Sequence, residues 1–375
     1  MVSGPIAGRM LCDLGADVVK VEPPEGDLTR RWGEIRQGMS GWFLQQNAGK
    51  RNICVDLKAS GGPELVRRLA AVTDVLIENY RPGVMARFGL DYQTLSALNP
   101  GLLMLSITGF GQQGPDAGRQ AYAPVIHAES GLIARQAEFD AAWPTDPILS
   151  IADTTAGLHG LIAVLAALRL RDQTGRGQHI DLGMLDAMLA TDDYASHGID
   201  GYPIRRLGGE VWEAPGGPLM IAGEFRNTWY QLSRVHHLAD PTPKGADLET
   251  KIHSRRHAVR RWLQDFPDRA AVAAALEEAD LAWAEVRSTE EAFASPSVAA
   301  RGMVVEVEDG QGGRRRVVQS PYRFSDASSG VRGPAAARGS HNASVLSDWL
   351  DIGDDEIDRF GASGILLSEE PATGS

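Results

Sequence analysis

The 375-residue sequence has only two cysteines, Cys12 and Cys54. So few cysteines argue against a disulfide framework and a cysteine metal site, and no spacing of histidines and carboxylates indicates a metal either. The chain opens without a basic, apolar leader, and no apolar run reaches the length that a membrane helix requires. These absences favour a soluble protein of the reducing cytoplasm that has no membrane partner.

An excess of positive charge is also missing, since the formal net charge is -12. This balance argues against a nucleic-acid partner, because a phosphate backbone favours a basic surface. Up to Leu90, however, basic residues slightly outnumber acidic ones. That local excess is typical either of a solvated face or of a site for a small phosphorylated ligand.

Common catalytic motifs are scarce. The sequence contains neither a P-loop nor a Gly-x-Ser-x-Gly turn, so hydrolase and phosphotransferase functions lack support. Gly109–Gly114 has the spacing of a dinucleotide-binding motif and follows a predicted strand. Pro115 argues against that function, because the motif requires its third glycine to lie inside an opening helix.

Strand and helix patterns alternate through the first half of the chain. This rhythm predicts a Rossmann-like parallel sheet with helices on both faces, the core of an α/β large domain. The predicted strands are 18–22, 51–57, 74–78, 102–108 and 178–182.

Glycine and proline recur between Gly198 and Gly217, which indicates a domain boundary. We predict a large domain over residues 1–200 and a smaller α+β domain with a linker over 201–325. The small domain is expected to contain a strand at 218–222, helices around Trp229 and over 254–263 and 270–278, and a hairpin formed by 303–308 and 314–319. Residues 326–375 are predicted to return to the large domain as a linker and an acidic tail.

Asp153 stands between a strand-like run, Pro147–Ala152, and an apolar helical pattern that begins near Thr154. At a helix start its carboxylate would accept hydrogen bonds from free backbone N–H groups, so its pKa is expected to fall. Such an anion suits a nucleophile better than a proton donor. On position alone, an ordinary helix cap remains the more common role.

His127 lies in a segment where a helix start is plausible, and Glu129 is close in sequence. A histidine in this setting is more often a hydrogen-bonded core residue than a catalytic base, and both interpretations stay open.

Several segments, taken together, resemble the class III coenzyme A transferases. This family includes formyl-CoA and carnitine CoA-transferases and also the α-methylacyl-CoA racemases. The matching segments are Gly4–Pro5, Leu11–Glu22, Gly26–Arg30, Asn47–Asn52, Asp56–Lys58, Glu78–Gly83, Ser106–Gly111, Thr174–Gln178, Ser295–Pro296, Ala300–Met303, Ser320–Pro321 and Arg323–Phe324.

The resemblance implies an enzyme that moves CoA from an acyl-CoA to a carboxylic acid, with Asp153 as the nucleophile. Asp153 would form a mixed anhydride and then an aspartyl-CoA thioester. The resemblance also implies an interlocked homodimer, CoA and acyl-CoA as substrates, and no permanently bound cofactor. The implied CoA-binding residues are Arg9, Arg30, Val55, Lys58, Asn79, Tyr80, Arg87 and Phe88.

Three departures from the family keep two other functions open. The chain has Tyr122-Ala123 where formyl-CoA transferases carry Tyr-Glu and racemases His-Asp, so only the displaced His127 could serve as a racemase base. The glycine-rich loop expected after Leu207 is reduced to Gly208-Gly209. One strand expected before Gly4 is not in the sequence, so either the start is late or a sheet strand is missing. The alternatives are a 2-methylacyl-CoA racemase and a CoA-binding paralogue without turnover, with Tyr122 and His127 as substrate-side candidates.

Overall fold

The structure, a computed structural model, describes residues 2–36, 38–203, 208–309 and 313–369. The described residues form two compact units. Residues up to Gly201 and from Ala299 onward make up the first unit, and Tyr202–Val298 make up the second.

The first unit contains most of the secondary structure. Its helices are Ser3–Asp13, Leu28–Arg31 (a 3-10 helix), Gly41–Asn47, Gly62–Ala71, Val84–Arg87, Tyr92–Leu98, Ala123–Glu129, Leu132–Asp140, Ile151–Thr174, Met184–Ala190, Ala195–Asp200, Asn342–Leu350 and Asp354–Ala362. Its strands are Val19–Glu22, Ile35–Arg36, Met39–Ser40, Arg51–Cys54, Val75–Glu78, Leu103–Thr108, Gln178–Gly183, Val304–Glu308 and Arg314–Val318. The boundary at residue 299 falls within the short helix Pro296–Ala300.

The predicted parallel pairing is confirmed. Leu103–Thr108 is the central strand of one sheet, with Val75–Glu78 and Gln178–Gly183 parallel on its two sides. Val19–Glu22 pairs in parallel with Arg51–Cys54 in a separate sheet. The single sheet that we predicted is therefore two parallel sheets among the described residues, because strand patterns do not reveal which edges pair.

The helix Ile151–Thr174 passes the length and composition test for crossing a membrane, and among the described residues it is the one helix that does. A single such helix is weak support for a membrane protein, since core helices of globular proteins have the same character. Here the helix packs against Ser3–Asp13 and Leu103–Thr108, and its Ala152 and Ala156 are fully buried in a hydrophobic cluster. We therefore describe it as the core helix of the first unit.

The chain returns to the first unit at Ala299, earlier than the predicted end of the small domain at residue 325. Val304–Glu308 and Arg314–Val318 form the predicted hairpin. The hairpin's buried valines share a hydrophobic cluster with Phe43 and Leu44 of the first unit. This apolar contact links distant parts of the chain, so a local strand pattern could not reveal it.

The second unit combines helices with one antiparallel sheet. Its strands are Trp283–Glu285, Gly217–Ala222 and Gly209–Ala214, in that spatial order. Trp212 and Trp229 contribute to its buried core. Its helices are Phe225–His236, Leu248–Gln264, Arg269–Glu278 and Thr289–Phe293.

The expected glycine loop after Leu207 is only partly described. Residues 204–207 lie outside the described part of the chain, and Gly209 already belongs to the strand Gly209–Ala214.

A partly buried ion pair fixes the turn after the strand Val19–Glu22. Asp27 accepts hydrogen bonds from Lys20 Nζ at 2.7 Å and from the Thr29 N–H at 2.9 Å, and the Asp27 side chain is 10% exposed. Burial alone would raise the pKa of Asp27, but Lys20 and Thr29 outweigh burial and lower the pKa to about 2. The ionised carboxylate therefore stabilises the folded state.

We expect Asp27→Asn to lower the free energy of unfolding by roughly 2 kcal/mol at neutral pH. Because the folded pKa lies below the unfolded value, this stabilisation is present above roughly pH 4. It is lost as the pH falls through about 2. Urea titrations across this range check the prediction, which fails if the difference between wild type and variant does not shrink on acidification. Asp17→Asn, at an exposed partner of Arg51, should change stability by less than about 1 kcal/mol.

Candidate active site

Asp153 is the third residue of the helix Ile151–Thr174 and is half-buried. Its Oδ1 accepts a hydrogen bond from the backbone N–H of Ser3 at 3.2 Å. Ser3 is the buried first residue of the helix Ser3–Asp13. The carboxylate therefore faces the positive N-terminus of a second helix.

This arrangement corrects two predictions about the segment. The strand-like run Pro147–Ala152 is not a strand, because the helix already begins at Ile151. Ser150, not Asp153, occupies the N-cap position. Asp153 lies inside the first turn, where its side chain reaches Ser3 instead of capping its own helix.

The pKa of Asp153 is raised, so the predicted decrease was wrong. Burial of the carboxylate is the largest cause, and it outweighs the hydrogen bonds from Ser3, which act in the opposite direction. Desolvation leaves the anion less stabilised than it would be in water. A carboxylate in this state is well suited to attack an electrophilic carbonyl.

Ser3 also connects Asp153 to the carboxyl edge of a parallel sheet. The Nδ2 of Asn79 donates to the Ser3 hydroxyl at 3.3 Å. Asn79 follows the strand Val75–Glu78, and the buried Glu78 carboxylate accepts the Tyr80 N–H at 2.8 Å. In open α/β sheets this edge is the usual place for a ligand. Two predicted CoA-binding residues, Asn79 and Tyr80, are therefore held on the side of Ser3 and Asp153.

Sequence reasoning missed Ser3. The only local signal was a small hydroxyl residue directly before Gly4-Pro5, at a position where a helix can begin. Nothing local indicates that its backbone N–H meets a carboxylate 150 residues further along the chain.

Arg9 is 2% exposed, and its guanidinium is hydrogen-bonded to oxygen atoms of the protein. It donates to Asp13 Oδ1 at 2.8 Å, to the Gln45 carbonyl at 2.6 Å and to the Val318 carbonyl at 3.2 Å. In the structure Arg9 thus holds the first helix in place. Its contact with CoA stays a prediction.

Arg30 is similarly engaged. Its guanidinium donates to both oxygens of Glu22 at 2.8 Å and lies 3.7 Å from the centre of the Phe43 ring. The other predicted CoA-binding residues differ in exposure. Val55 is buried, Phe88 is half-buried against a hydrophobic cluster, and Tyr80, Lys58 and Arg87 are exposed. The exposed three are free to reach a ligand.

Tyr122 lies at the N-cap position of the helix Ala123–Glu129 and is 48% exposed. His127, on the same helix, is fully buried. Its Nδ1 lies 2.8 Å from Asp146 Oδ1, and its Nε2 accepts the Ala152 N–H at 3.1 Å. Both ring nitrogens are therefore engaged, as expected of a core histidine.

The glycine motif that begins at Gly109 forms an irregular loop. Gly111 has a φ of +84°, and the Gln112 N–H donates to both oxygens of Asp181 at 3.0 and 3.1 Å. No helix opens between this motif and Ala123, a stretch that is described throughout. The dinucleotide function, which needs a helix at this place, is unsupported.

The described ranges contain no group of three or more histidine, cysteine, aspartate or glutamate side chains arranged to hold a metal ion.

Parallel sheets with a partly buried carboxylate near the carboxyl edge of one of them are typical of α/β enzymes. The family described as CoA-transferase family III matches residues 1–342. The chain belongs to this family. It is an enzyme that transfers CoA between acyl-CoA thioesters and carboxylic acids.

Individual relatives agree with this assignment. A succinate–glutarate CoA-transferase of Agrobacterium fabrum is 35% identical, over 93% of this chain and 92% of its own length. A formyl-CoA:oxalate CoA-transferase of Streptomyces coelicolor is 32% identical, over 97% and 96%. The crystal structure of a CAIB/BAIF family protein from Brucella suis has a TM-score of 0.78 at 31% identity, covering 93% of this chain and 96% of that one.

Proposed function

We propose that the protein transfers CoA to a dicarboxylic acid through covalent intermediates on Asp153. The observation that carries this proposal is the half-buried carboxylate, whose pKa is raised by burial and whose Oδ1 accepts the Ser3 N–H. The names of the relatives contain succinate, glutarate and oxalate, all dicarboxylic acids. They support the choice of acceptor.

The transfer has four balanced steps. An Asp153 oxygen attacks the thioester carbonyl, which forms a mixed anhydride and releases CoA thiolate. The thiolate attacks the aspartyl carbonyl, which gives an aspartyl-CoA thioester and frees the donor acid. The acceptor carboxylate then attacks this thioester, and the released thiolate takes the new acyl group and restores Asp153. Together, these four acyl transfers replace one difficult exchange, and each of them is easier than the direct reaction.

The Ser3 N–H has a defined role in this sequence. It donates to Asp153 Oδ1, the atom on which negative charge grows when thiolate or acceptor attacks the aspartyl carbon. A donor already in place at such an atom stabilises the transition state. Asn79 supports Ser3 through the hydroxyl.

The CoA moiety is proposed to contact Asn79, Tyr80, Lys58, Arg87 and Phe88. Val55, Arg30 and Arg9 are proposed to hold the neighbouring protein segments in place around CoA. Lysine and arginine suit the phosphates of CoA, and aromatic side chains suit its adenine ring. The exposure of Lys58, Arg87 and Tyr80 supports this assignment.

Neither of the two positions considered for a racemase base supports the racemase alternative. His127 is fully buried with both nitrogens engaged, and Ala123, at the place of the racemase carboxylate, lies in the core. Proton exchange next to a thioester needs a base with a free lone pair within reach of that carbon.

Mass spectrometry after incubation with succinyl-CoA and hydroxylamine tests the proposal. We expect hydroxylamine to convert Asp153 to its hydroxamate, because both the anhydride and the thioester carry an activated aspartyl acyl group that hydroxylamine attacks with release of a carboxylate or a thiolate. CoA binding without any modified Asp153 and without exchange against dicarboxylic acids would instead identify a CoA-binding paralogue. Deuterium uptake at the carbon next to the thioester, without an acceptor acid, would identify a racemase.

We further propose a cytoplasmic homodimer, interlocked as in the family that the sequence resembles. Two free cysteines, both buried, fit a reducing compartment. The helix Ile151–Thr174 leaves Leu158, Ile162 and Leu165 exposed by 40%, 63% and 45%. This spacing puts them on one helix face, and a second copy of the chain would remove them from water.

We expect Ile162→Asp to weaken the dimer, because a charge would then lie in an apolar interface. Light scattering after size-exclusion chromatography should show a lower mass than for wild type. Leu98→Asp is the matched control, since Leu98 is 53% exposed at the end of another helix. A wild type that is already monomeric, or equal masses for Ile162→Asp and wild type, would contradict the proposed interface.

A further inference from the structure

The helix that carries Asp153 begins without a side-chain cap from its own N-cap residue, Ser150. The first turn of any helix has backbone N–H groups with no partner inside the helix. The Ala152 N–H, one of these groups, donates to Nε2 of His127 at 3.1 Å. Both Ala152 and His127 are fully buried, so the imidazole supplies the acceptor that water cannot.

This contact fixes the protonation state of His127. A nitrogen that accepts a hydrogen bond must carry a lone pair, so Nε2 is unprotonated and the ring proton lies on Nδ1. Nδ1–H then donates to Asp146 Oδ1 at 2.8 Å. Asp146 thus selects the tautomer in which Nε2 can receive the Ala152 N–H.

We propose that His127, oriented by Asp146, is a positioning residue that holds the first turn of the helix so that Asp153 faces Ser3. This inference rests on the proposed role of Asp153 as nucleophile. Ala152 directly precedes Asp153, and Asp153 is held on its other side by the Ser3 N–H. The Ser3 N–H holds the carboxylate of Asp153, and His127 holds the backbone of the residue before it.

The loss of the Ala152 contact should lower the turnover rate more than it lowers substrate affinity. The bond acts on the direction of the first helical turn, whereas the proposed CoA contacts lie on other elements. A displacement of a reacting group by about 1 Å can cost up to about 100-fold in rate. An imidazolium or the other tautomer would have the same effect, since neither has an acceptor at Nε2.

Two polar variants each keep one of the two hydrogen bonds of the His127 ring and lose the other. Glutamine places its carbonyl oxygen near the Nε2 position and can still accept the Ala152 N–H, whereas asparagine reaches only the Nδ1 position and keeps the bond to Asp146. We expect His127→Gln to keep kcat within about threefold of wild type and His127→Asn to lower kcat by about tenfold or more, with little change in KM for the acyl-CoA. Equal losses in both variants, or an unchanged kcat in His127→Asn, would overturn the proposal.

A measurement independent of activity accompanies the kinetics. Nitrogen NMR of histidine-labelled wild-type protein should show His127 protonated at Nδ1 and not at Nε2. A proton on Nε2 would overturn the proposal whatever the rates are. If Asp153→Asn keeps full turnover, the proposed nucleophile is wrong. If Asp153→Asn is inactive and His127→Asn is fully active, only the positioning role is wrong.

Discussion

Asp153→Asn should lower CoA transfer by at least about a thousandfold, because the amide cannot form the anhydride on which every later step depends. The change keeps the size of the side chain and an oxygen that can accept the Ser3 N–H, so the fold should be retained. The rate of CoA exchange between succinyl-CoA and a dicarboxylic acid measures the effect. The same variant should give no aspartyl hydroxamate at residue 153.

Asp172→Asn is the matched control for this experiment. Asp172 lies on the same helix but is exposed, so its replacement should leave the exchange rate unchanged. Retained turnover in Asp153→Asn would rule out covalent catalysis at this residue. Equal losses in both variants would indicate damage to the helix instead of loss of a nucleophile.

Gly157→Ala should damage both stability and activity, although alanine normally favours a helix over glycine by about 1 kcal/mol. A Cβ at Gly157 would lie 2.8 Å from the Ser3 carbonyl oxygen and 3.0 Å from the Ile6 side chain. The two helices would have to separate, and we expect a cost of about 1–3 kcal/mol in the free energy of unfolding. Because Ser3 holds Asp153, kcat should also fall by about tenfold or more.

Gly361→Ala provides the comparison. Gly361 lies in the helix Asp354–Ala362, and a Cβ there would meet no atom within 4 Å. This variant should be slightly more stable than wild type, with unchanged kcat, as expected from helix propensity alone. Urea titration measures the free energy of unfolding of both variants, and steady-state kinetics measures their kcat. A Gly157→Ala protein as stable and active as wild type would show that the close approach of the two helices is unimportant.

The sequence predicted local features well where the signal was repetitive. Val75–Glu78 and Leu103–Thr108 were recognised because they are short and mainly apolar, and Gln178–Gly183 because it follows the glycines that end a helical pattern. Asp153 was recognised as a candidate by its position between two such patterns. The helix start was misplaced because Ile151 and Ala152 fit a buried strand as well as a helix.

Features that depend on distant contacts were not predictable. The raised pKa of Asp153 follows from burial, which a local pattern does not show. Arg9 and Arg30 have charges that suit phosphate, yet the fold surrounds them with Asp13, Glu22 and backbone carbonyls. The return of the chain to the first unit at Ala299 depends on apolar packing between remote segments.

The alternation of strands and helices could be predicted from the period of the apolar pattern, which is a local property. The family was recognised from the resemblance of many short segments, and the candidate carboxylate from its place between two such patterns. The groups that hold Asp153 could be found in the folded chain alone. Ser3 and His127 lie far from it along the chain, and only the packing of three helices brings a backbone N–H and an imidazole to either side of one helical turn.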